Sequence, residues 1–466
     1  MTRIYNKAYK ILPIILLILF SSILYLIFLF GSQDNDMYFE IVSGNDLLSG
    51  NFKTASHLDN FPMLVQQWLY AVCLAIVDKL GIVGRISFVF IQDVILWGLA
   101  SLFIYKKTKS KSTAMIGSFA AILYSHNYMI NIRPQIITVI LLVAELLILE
   151  KYRENREHKY LFAIFPILIL AANFHQAVFL YHIMIIVPYC FDKRIKHIID
   201  WKLVAFVPFF TACTLLTPYG IDGSLYILRT FQSKTYDIIG IAELQGIDLL
   251  SYMGFKLLLL VLYTIYCIYK HKANIFMCYY IFLITILSLI NMRHTSIEFI
   301  PVMFIIAYTD WSWIKNQYMY GVLSLLCIGL SAMFIKNPDF KLEDYGDITT
   351  VIEDKDAKII NSAMDIGGWF EYNGYTKLWM DSRCEAFSEE ISGVKGIPAD
   401  YFRLVYGYNI GPKKNYSFAS EDEILDTVRD YDYIVSKKLD YINRVADTEW
   451  DLIYDDGSYL VWKKAQ

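Results

Sequence analysis

Through residues 1–335, apolar runs close to bilayer length alternate with short polar segments. A helix needs about 20 mostly apolar residues to cross the hydrocarbon core. On that measure the pattern predicts spans near 11–30, 84–105, 112–130, 135–152, 160–174, 177–191, 201–217, 252–269, 274–291, 296–310 and 317–335. Asn173 and His175 interrupt residues 160–191, which read as a hairpin or as one long tilted span. Residues 31–83 form a long first loop. Within it Met63 to Gly81 is apolar but carries Gln66, Gln67, Asp78 and Lys79. That is the pattern of a helix lying along the membrane surface, with Trp68 and Tyr70 suited to the interface. The first run, Ile11 to Phe30, is longer than a signal-peptide core, and no small-residue cleavage site follows it. It reads as a retained anchor.

The pattern changes after residue 335. Residues 336–466 read as a soluble α/β domain, with a short helix over Ala357–Ala363 and a second over Glu421–Asp430. Strands are predicted at Trp369–Glu371, Lys377–Asp381, Tyr433–Ser436, Trp450–Tyr454 and Ser458–Lys463, the last two joined as a hairpin by Asp455-Asp456-Gly457. The expected fold class is an α-helical polytopic membrane protein of about 11 transmembrane helices. Residues 1–335 would be the membrane domain and 336–466 an external α/β domain.

Charge orients this arrangement. Arg3, Lys7 and Lys10 precede the first span, and alternate crossings put Lys106–Lys111, Lys151–Lys159, Lys193–Lys196 and Lys270–Lys272 on the same side. Short basic loops stay in the cytoplasm, so the N-terminus is expected inside. Residues 31–83, a large loop at 218–251 and the tail after 335 would then be external. Composition agrees: 56% of the 466 residues are hydrophobic and mean hydropathy is +0.41, against about 45–50% apolar in soluble domains. The net charge of −3 says little about partners, but no basic tract suggests nucleic acid, and none is expected as a partner. The seven cysteines show no CxxC spacing and read as small buried hydrophobes.

On this topology the unusual polar residues gather on the external side. Asp34, Asp36 and Glu40 follow the first span, and His57 and Asp59 share their loop. Arg133 and Gln135 stand before the fourth span, Asn173 and His175 at the hairpin tip, Arg293 and His294 at the end of the ninth span, and Glu243 in the loop 218–251. Taken singly, each has a plainer reading: a solvated loop, an interfacial anchor, a bridge between short helices. Together they suggest a site, since polar groups near hydrocarbon are costly. Carboxylates could act as a general base or hold a divalent cation such as Mg²⁺ or Mn²⁺ through Asp34 and Asp36. Arginines could neutralise the phosphate of a lipid-linked donor. Asp93, Glu145 and Glu298, inside or near spans, read as interhelix hydrogen-bonding residues, with Glu298 near enough in sequence to pair with Arg293.

Several short motifs carry a resemblance. They are Asp34-Asn35-Asp36-Met37-Tyr38 with Gly44 to Gly50, Gln67-Trp68-Leu69 with Leu80-Gly81, and Arg133-Pro134-Gln135. Ala172-Asn173-Phe174-His175, Leu216-Thr217-Pro218-Tyr219-Gly220 and Met292-Arg293-His294 follow, then Gly367-Gly368-Trp369 and Met380-Asp381-Ser382-Arg383. In this order they resemble bacterial GT-C type membrane glycosyltransferases, in a branch with an external C-terminal domain. The sequence departs from that pattern where Met37 precedes Tyr38 and where Gln176 follows His175. The resemblance implies a polyprenyl-phosphate-linked sugar donor and an extracytoplasmic glycan, lipid or protein acceptor, met at a cell membrane.

An inverting transferase would use Asp36 or Asp34 as base, Arg133 and Arg293 on the phosphate, and His175 to orient donor or acceptor. Gln135, Asn173, His294, Glu243, His57 and Asp59 would complete substrate binding. Two other classes stay open: a transporter or flippase of a lipid-linked saccharide, and a non-catalytic scaffold whose external domain binds a partner.

Overall fold

In a computed structural model of the chain, the described residues are 35–52, 54–55, 62–125, 132–191, 199–233, 245–270, 274–311, 345–383, 387–393, 396–410 and 416–465, with parts of 15–23 and 322–329. Asp34, His57, Asp59, Glu243 and Cys384, and most of the predicted spans 11–30 and 317–335, lie outside them. The longer helices, in chain order, are α1 Asp36–Leu48, α2 Trp68–Asp78, α3 Gly81–Thr108, α4 Lys111–Tyr124, α5 Gln135–Asn155, α6 His158–Phe174, α7 Trp201–Ala212, α8 Gly220–Gln232, α9 Tyr252–Tyr269, α10 Ile275–Ile290 and α11 Phe299–Tyr308. The C-terminal part adds α12 Gly367–Tyr372, α13 Ile397–Tyr406 and α14 Glu421–Val428; shorter pieces are given by range.

The chain divides into two compact units. The first comprises Met1–Gln33, Val77–Thr217 and Ala242–Lys341. The second comprises Asp34–Ile76, Pro218–Ile241 and Leu342–Gln466, so segments that read as loops in the sequence group with the C-terminal residues.

The first unit is helical. A two-residue turn joins α3 to α4: Lys109 adopts a left-handed conformation (φ 58°) and Ser110 caps α4 by accepting from the Thr113 amide. The two helices then pack through Trp97, whose Nε1 donates to the Met115 carbonyl at 2.9 Å, and through Ser101 and Ser118, 2.6 Å apart. Such contacts let hydroxyls sit inside an apolar bundle without stranded donors. α3 and α9 are each long and apolar enough to cross a membrane. On α9, Phe255, Leu258, Leu259, Leu262, Ile265 and Ile268 are all exposed. A stripe of that size has no place in water and suits lipid.

Other predicted spans are broken locally. Residues 177–191 form a 3₁₀ turn, a short helix Leu180–Ile186 and a second 3₁₀ turn containing Pro188, because proline removes a helix donor. Residues 292–297 are 3₁₀, and α11 follows with Pro301 in its first turn, where no amide donor is needed.

The second unit holds a four-stranded sheet in the order β1-β2-β4-β3, where β1 is Ile359–Asn361, β2 Tyr433–Lys437, β3 Trp450–Asp455 and β4 Tyr459–Lys464. β1 runs parallel to β2; the other pairs are antiparallel. The β3–β4 hairpin turns at Asp455-Asp456-Gly457 as expected, with Gly457 at φ 90° and the amides of Gly457 and Ser458 donating to Asp455 and Asp456. α14 begins with a capping box, Ser420 and Glu423.

Three expectations for the tail are corrected. Residues 357–363 contain a strand, not a helix: Ile359–Asn361 is wholly buried and pairs with β2, and a short apolar window cannot separate the two forms. Trp369–Glu371 is helical, within α12, and not a strand. Lys377–Asp381 is irregular save for a single bridge from Leu378 to Ile359.

α1 and α2 touch at Gly44. A Cβ there would stand 2.1 Å from the Ala71 carbonyl oxygen and 2.7 Å from the Ala75 Cβ, so the helices can meet only because the side chain is missing. Gly44→Val should therefore destabilise the second unit by about 1–3 kcal/mol through overpacking. Thermal unfolding of the purified variant checks this; an unchanged midpoint would rule out the close approach.

Candidate functional site

Two sets of polar side chains stand out, one in each unit. The set in the second unit begins with Asp36, in the first turn of α1, where the helix dipole favours a carboxylate. Asp36, Glu40 and Ser43 follow the i, i+4, i+7 spacing and so share one helix face. Each is held by a residue distant in sequence. Ser382 Oγ donates to Asp36 Oδ1 at 2.8 Å across 346 positions. Gln67 Nε2 donates to Glu40 Oε1. Arg383 Nη1 donates to Ser43 Oγ at 3.2 Å.

Arg383 is the hub of this set and is buried. Its Nη2 donates to both Glu371 oxygens, at 2.8 and 2.7 Å, and its Nε to Asp381 Oδ2 at 2.6 Å. Its guanidinium lies 5.2 Å from the Phe39 ring centre. Burial pushes the Glu371 carboxyl up; Arg383 opposes this, and Asp381 and Asp46 add to it. The glycines of α12 allow the approach: a Cβ on Gly368 would be 3.1 Å from the Phe39 amide, and one on Gly367 would be 2.4 Å from the Met380 carbonyl oxygen. Around them Tyr38 packs edge-on to Trp369 at 4.8 Å and beside Tyr372 at 5.1 Å. Asn35 Nδ2 donates to the Tyr345 hydroxyl at 2.5 Å.

The set in the first unit surrounds the start of α5 and the end of α6. Arg133 stands half-buried just before α5. His175 Nδ1 lies 2.9 Å from Thr138 Oγ1, one turn into α5. Gln135, Thr138, His175, Val178, Tyr181 and Ser296 line a narrow crevice. Among the described residues Gln135 Oε1 is buried without a hydrogen-bond partner, a cost of about 1–3 kcal/mol unless a donor enters. His294 Nδ1 is bonded to the Tyr181 hydroxyl. Arg293 is exposed, yet near enough for its charge to act on His175 and His294. Asn173 does different work: its amide donates to the carbonyls of Ile169 (2.7 Å) and Leu216 (2.9 Å) and so shapes the turn.

The acidic residues inside the helices are also placed. Glu145 bonds His182 Nδ1 at 2.7 Å between elements, as expected of an interhelix pair. Glu298 pairs with Lys256 at 2.6 Å and not with Arg293; the Lys256 ammonium also lies 4.6 Å from the Tyr124 ring. A buried carboxylate takes the cation that is buried with it. Asp93 departs from the expectation: both its carboxylate oxygens are buried with no hydrogen-bond partner among the described residues.

Sequence reasoning assigned no role to Thr138, Tyr181 or Glu371, which are common residue types in ordinary contexts. It singled out Asp381-Ser382-Arg383 as a motif but did not connect it with Asp36. Among the described residues no group of three or more His, Cys, Asp or Glu side chains is arranged to hold a metal ion.

The fold has solved counterparts. The chain is similar to the oligosaccharyltransferase of Archaeoglobus fulgidus, crystallised with a tethered acceptor peptide containing the NVT sequon, at TM-score 0.59 and 11% identity. That likeness covers 99% of this chain and 75% of the other. It is also similar to the mycobacterial arabinofuranosyltransferase AftD, at TM-score 0.50 and 10% identity, over 97% of this chain and 41% of that one. No model of a protein family matches the sequence, and neither does any curated protein. The likeness is one of fold: a GT-C-like glycosyltransferase fold, mostly helical, with small C-terminal sheets.

Proposed function

We propose that this protein is a multi-pass membrane glycosyltransferase that moves a sugar from a polyprenyl-phosphate-linked donor to an acceptor on the external face of the membrane. The observation that carries this reading is the GT-C-like fold, matched along 99% of the chain to an enzyme that transfers oligosaccharide. About eleven crossings, a cytoplasmic N-terminus and an external C-terminal domain from residue 336 complete the arrangement, supported by the alternating Lys/Arg pattern. The acceptor is a glycan, lipid or protein carrying a free hydroxyl or amide.

The reaction is a single inverting displacement. The acceptor loses its proton to Asp36, its heteroatom bonds to the anomeric carbon, and the bond from that carbon to the phosphate oxygen breaks. Polyprenyl phosphate leaves. Asp36 suits the base because its carboxylate has a fixed orientation, which removes reorganisation from the barrier. Arg133 and Arg293 bind the donor phosphate. His175, Gln135 and His294 contact the sugar or its phosphate, and Asn173 maintains the turn that presents His175. Asp34, His57, Asp59 and Glu243 contribute further acceptor and donor contacts, with Asp34 and Asp36 as the ligands of any divalent cation the reaction uses.

The arginines test this reading. A guanidinium binds two phosphate oxygens at once, whereas an ammonium is a single point charge. Arg133→Lys and Arg293→Lys should each weaken use of a synthetic polyprenyl-phosphate sugar in nanodiscs, by about tenfold per 1.4 kcal/mol lost, and Arg→Ala more so. If they are only interfacial anchors, Lys snorkels equally well and both variants keep normal affinity and turnover, which overturns the phosphate assignment.

A further inference from the structure

We propose that Ser382 is a positioning residue for the Asp36 carboxylate, acting from the C-terminal part of the chain on the first turn of α1. The inference rests on the proposed role of Asp36 as base. Its ground is a clamp at two points of one helix face. Ser382 donates to Asp36 at 2.8 Å, and the next residue, Arg383, donates to Ser43 at 3.2 Å. Asp36 and Ser43 are seven residues apart, about two turns, so the two contacts fix both the rotation and the axial position of α1. Ser382 cannot drift, because Arg383 is locked by Glu371 and Asp381, and the Asp381 carboxylate accepts from the Arg383 amide at 2.7 Å. Gly367 and Gly368 allow the backbones to close on this clamp.

The bond has a chemical consequence. A hydroxyl that donates to one oxygen of a carboxylate fixes the plane of the group, so Asp36 needs no reorientation before it takes the acceptor's proton.

The test uses the full chain in nanodiscs and a panel of synthetic polyprenyl-phosphate hexoses and pentoses, following release of polyprenyl phosphate at limiting and at saturating donor. Ser382→Ala should lower kcat by about tenfold and leave KM for the donor unchanged. Ser382→Thr, which keeps the hydroxyl, should restore kcat. In the Asp36→Asn background Ser382→Ala should cost nothing further. An unchanged kcat in Ser382→Ala, a change in KM alone, or additive losses in the double variant would each overturn the assignment. The two levels separate cleanly. If Asp36→Asn is inactive while Ser382→Ala matches the wild type in every respect, only the Ser382 role falls. If Asp36→Asn is fully active, or the wild type turns over no donor, the proposed function falls and the inference with it.

Discussion

Asp36→Asn is expected to lower sugar transfer by about 10²–10⁴-fold, the usual loss when a general base is removed, while the protein still folds. The substitution removes the proton acceptor and almost no volume. The amide side chain would keep a carbonyl oxygen where Asp36 Oδ1 accepts from Ser382, so the clamp on α1 survives. That separation is what makes the variant informative. Release of polyprenyl phosphate from a synthetic donor measures the chemistry, and thermal unfolding of the same preparation measures the fold. Near-normal turnover would remove Asp36 from the mechanism. Lost turnover with a lowered unfolding midpoint would mean that the residue serves the structure instead.

The second large effect is on stability. Arg383→Ala should destabilise the second unit by about 3–5 kcal/mol, because it leaves Glu371 and Asp381 buried without the cation they share. The hydrogen bond to Ser43 and the contact with the Phe39 ring are lost as well. Arg383→Lys should recover only part of the loss, since one ammonium cannot reproduce two bonds to Glu371 and one to Asp381. The deficit should also depend on pH. A carboxyl raised in the folded state contributes stability at low pH that is lost as pH rises through its folded value. Burial already raises Glu371, and removing Arg383 takes away the group that opposes the rise. The variant should therefore fall further below the wild type at about pH 8 than at about pH 5. Urea unfolding at the two pH values, read by limited proteolysis of the C-terminal part, measures this. Equal deficits at both would argue that the loss is one of packing alone.

Much of this protein is a matter of local pattern. The apolar runs at 84–105 and 252–269 became α3 and α9 because a bilayer-length apolar stretch has few other stable forms. The hairpin at Asp455-Asp456-Gly457 and the helix after Ser420 were legible because turn and capping chemistry act within four residues. The candidate residues of the first unit were legible as oddities: an Arg, a His or a Gln beside apolar runs has to be explained by something.

Pairing over distance was not legible. Residues 357–363 and 369–371 are short and apolar, and whether each forms strand or helix is decided by the sheet and by α1, elements that no local window contains. Glu298 stands five residues from Arg293 but bonds Lys256, because both are buried and Arg293 is exposed. Asp36 advertised itself as an acid after a span, while the serine that holds it lies 346 residues further on, in a motif that nothing local connects with Asp36. The sequence determined that the chain would seek a membrane and which polar residues were out of place there, since hydropathy and side-chain chemistry belong to each residue by itself. Only the tertiary structure decided which of those residues are held and by what, because a hydrogen bond or an ion pair is a property of two positions, and a large distance between them in the chain does not keep them apart in the fold.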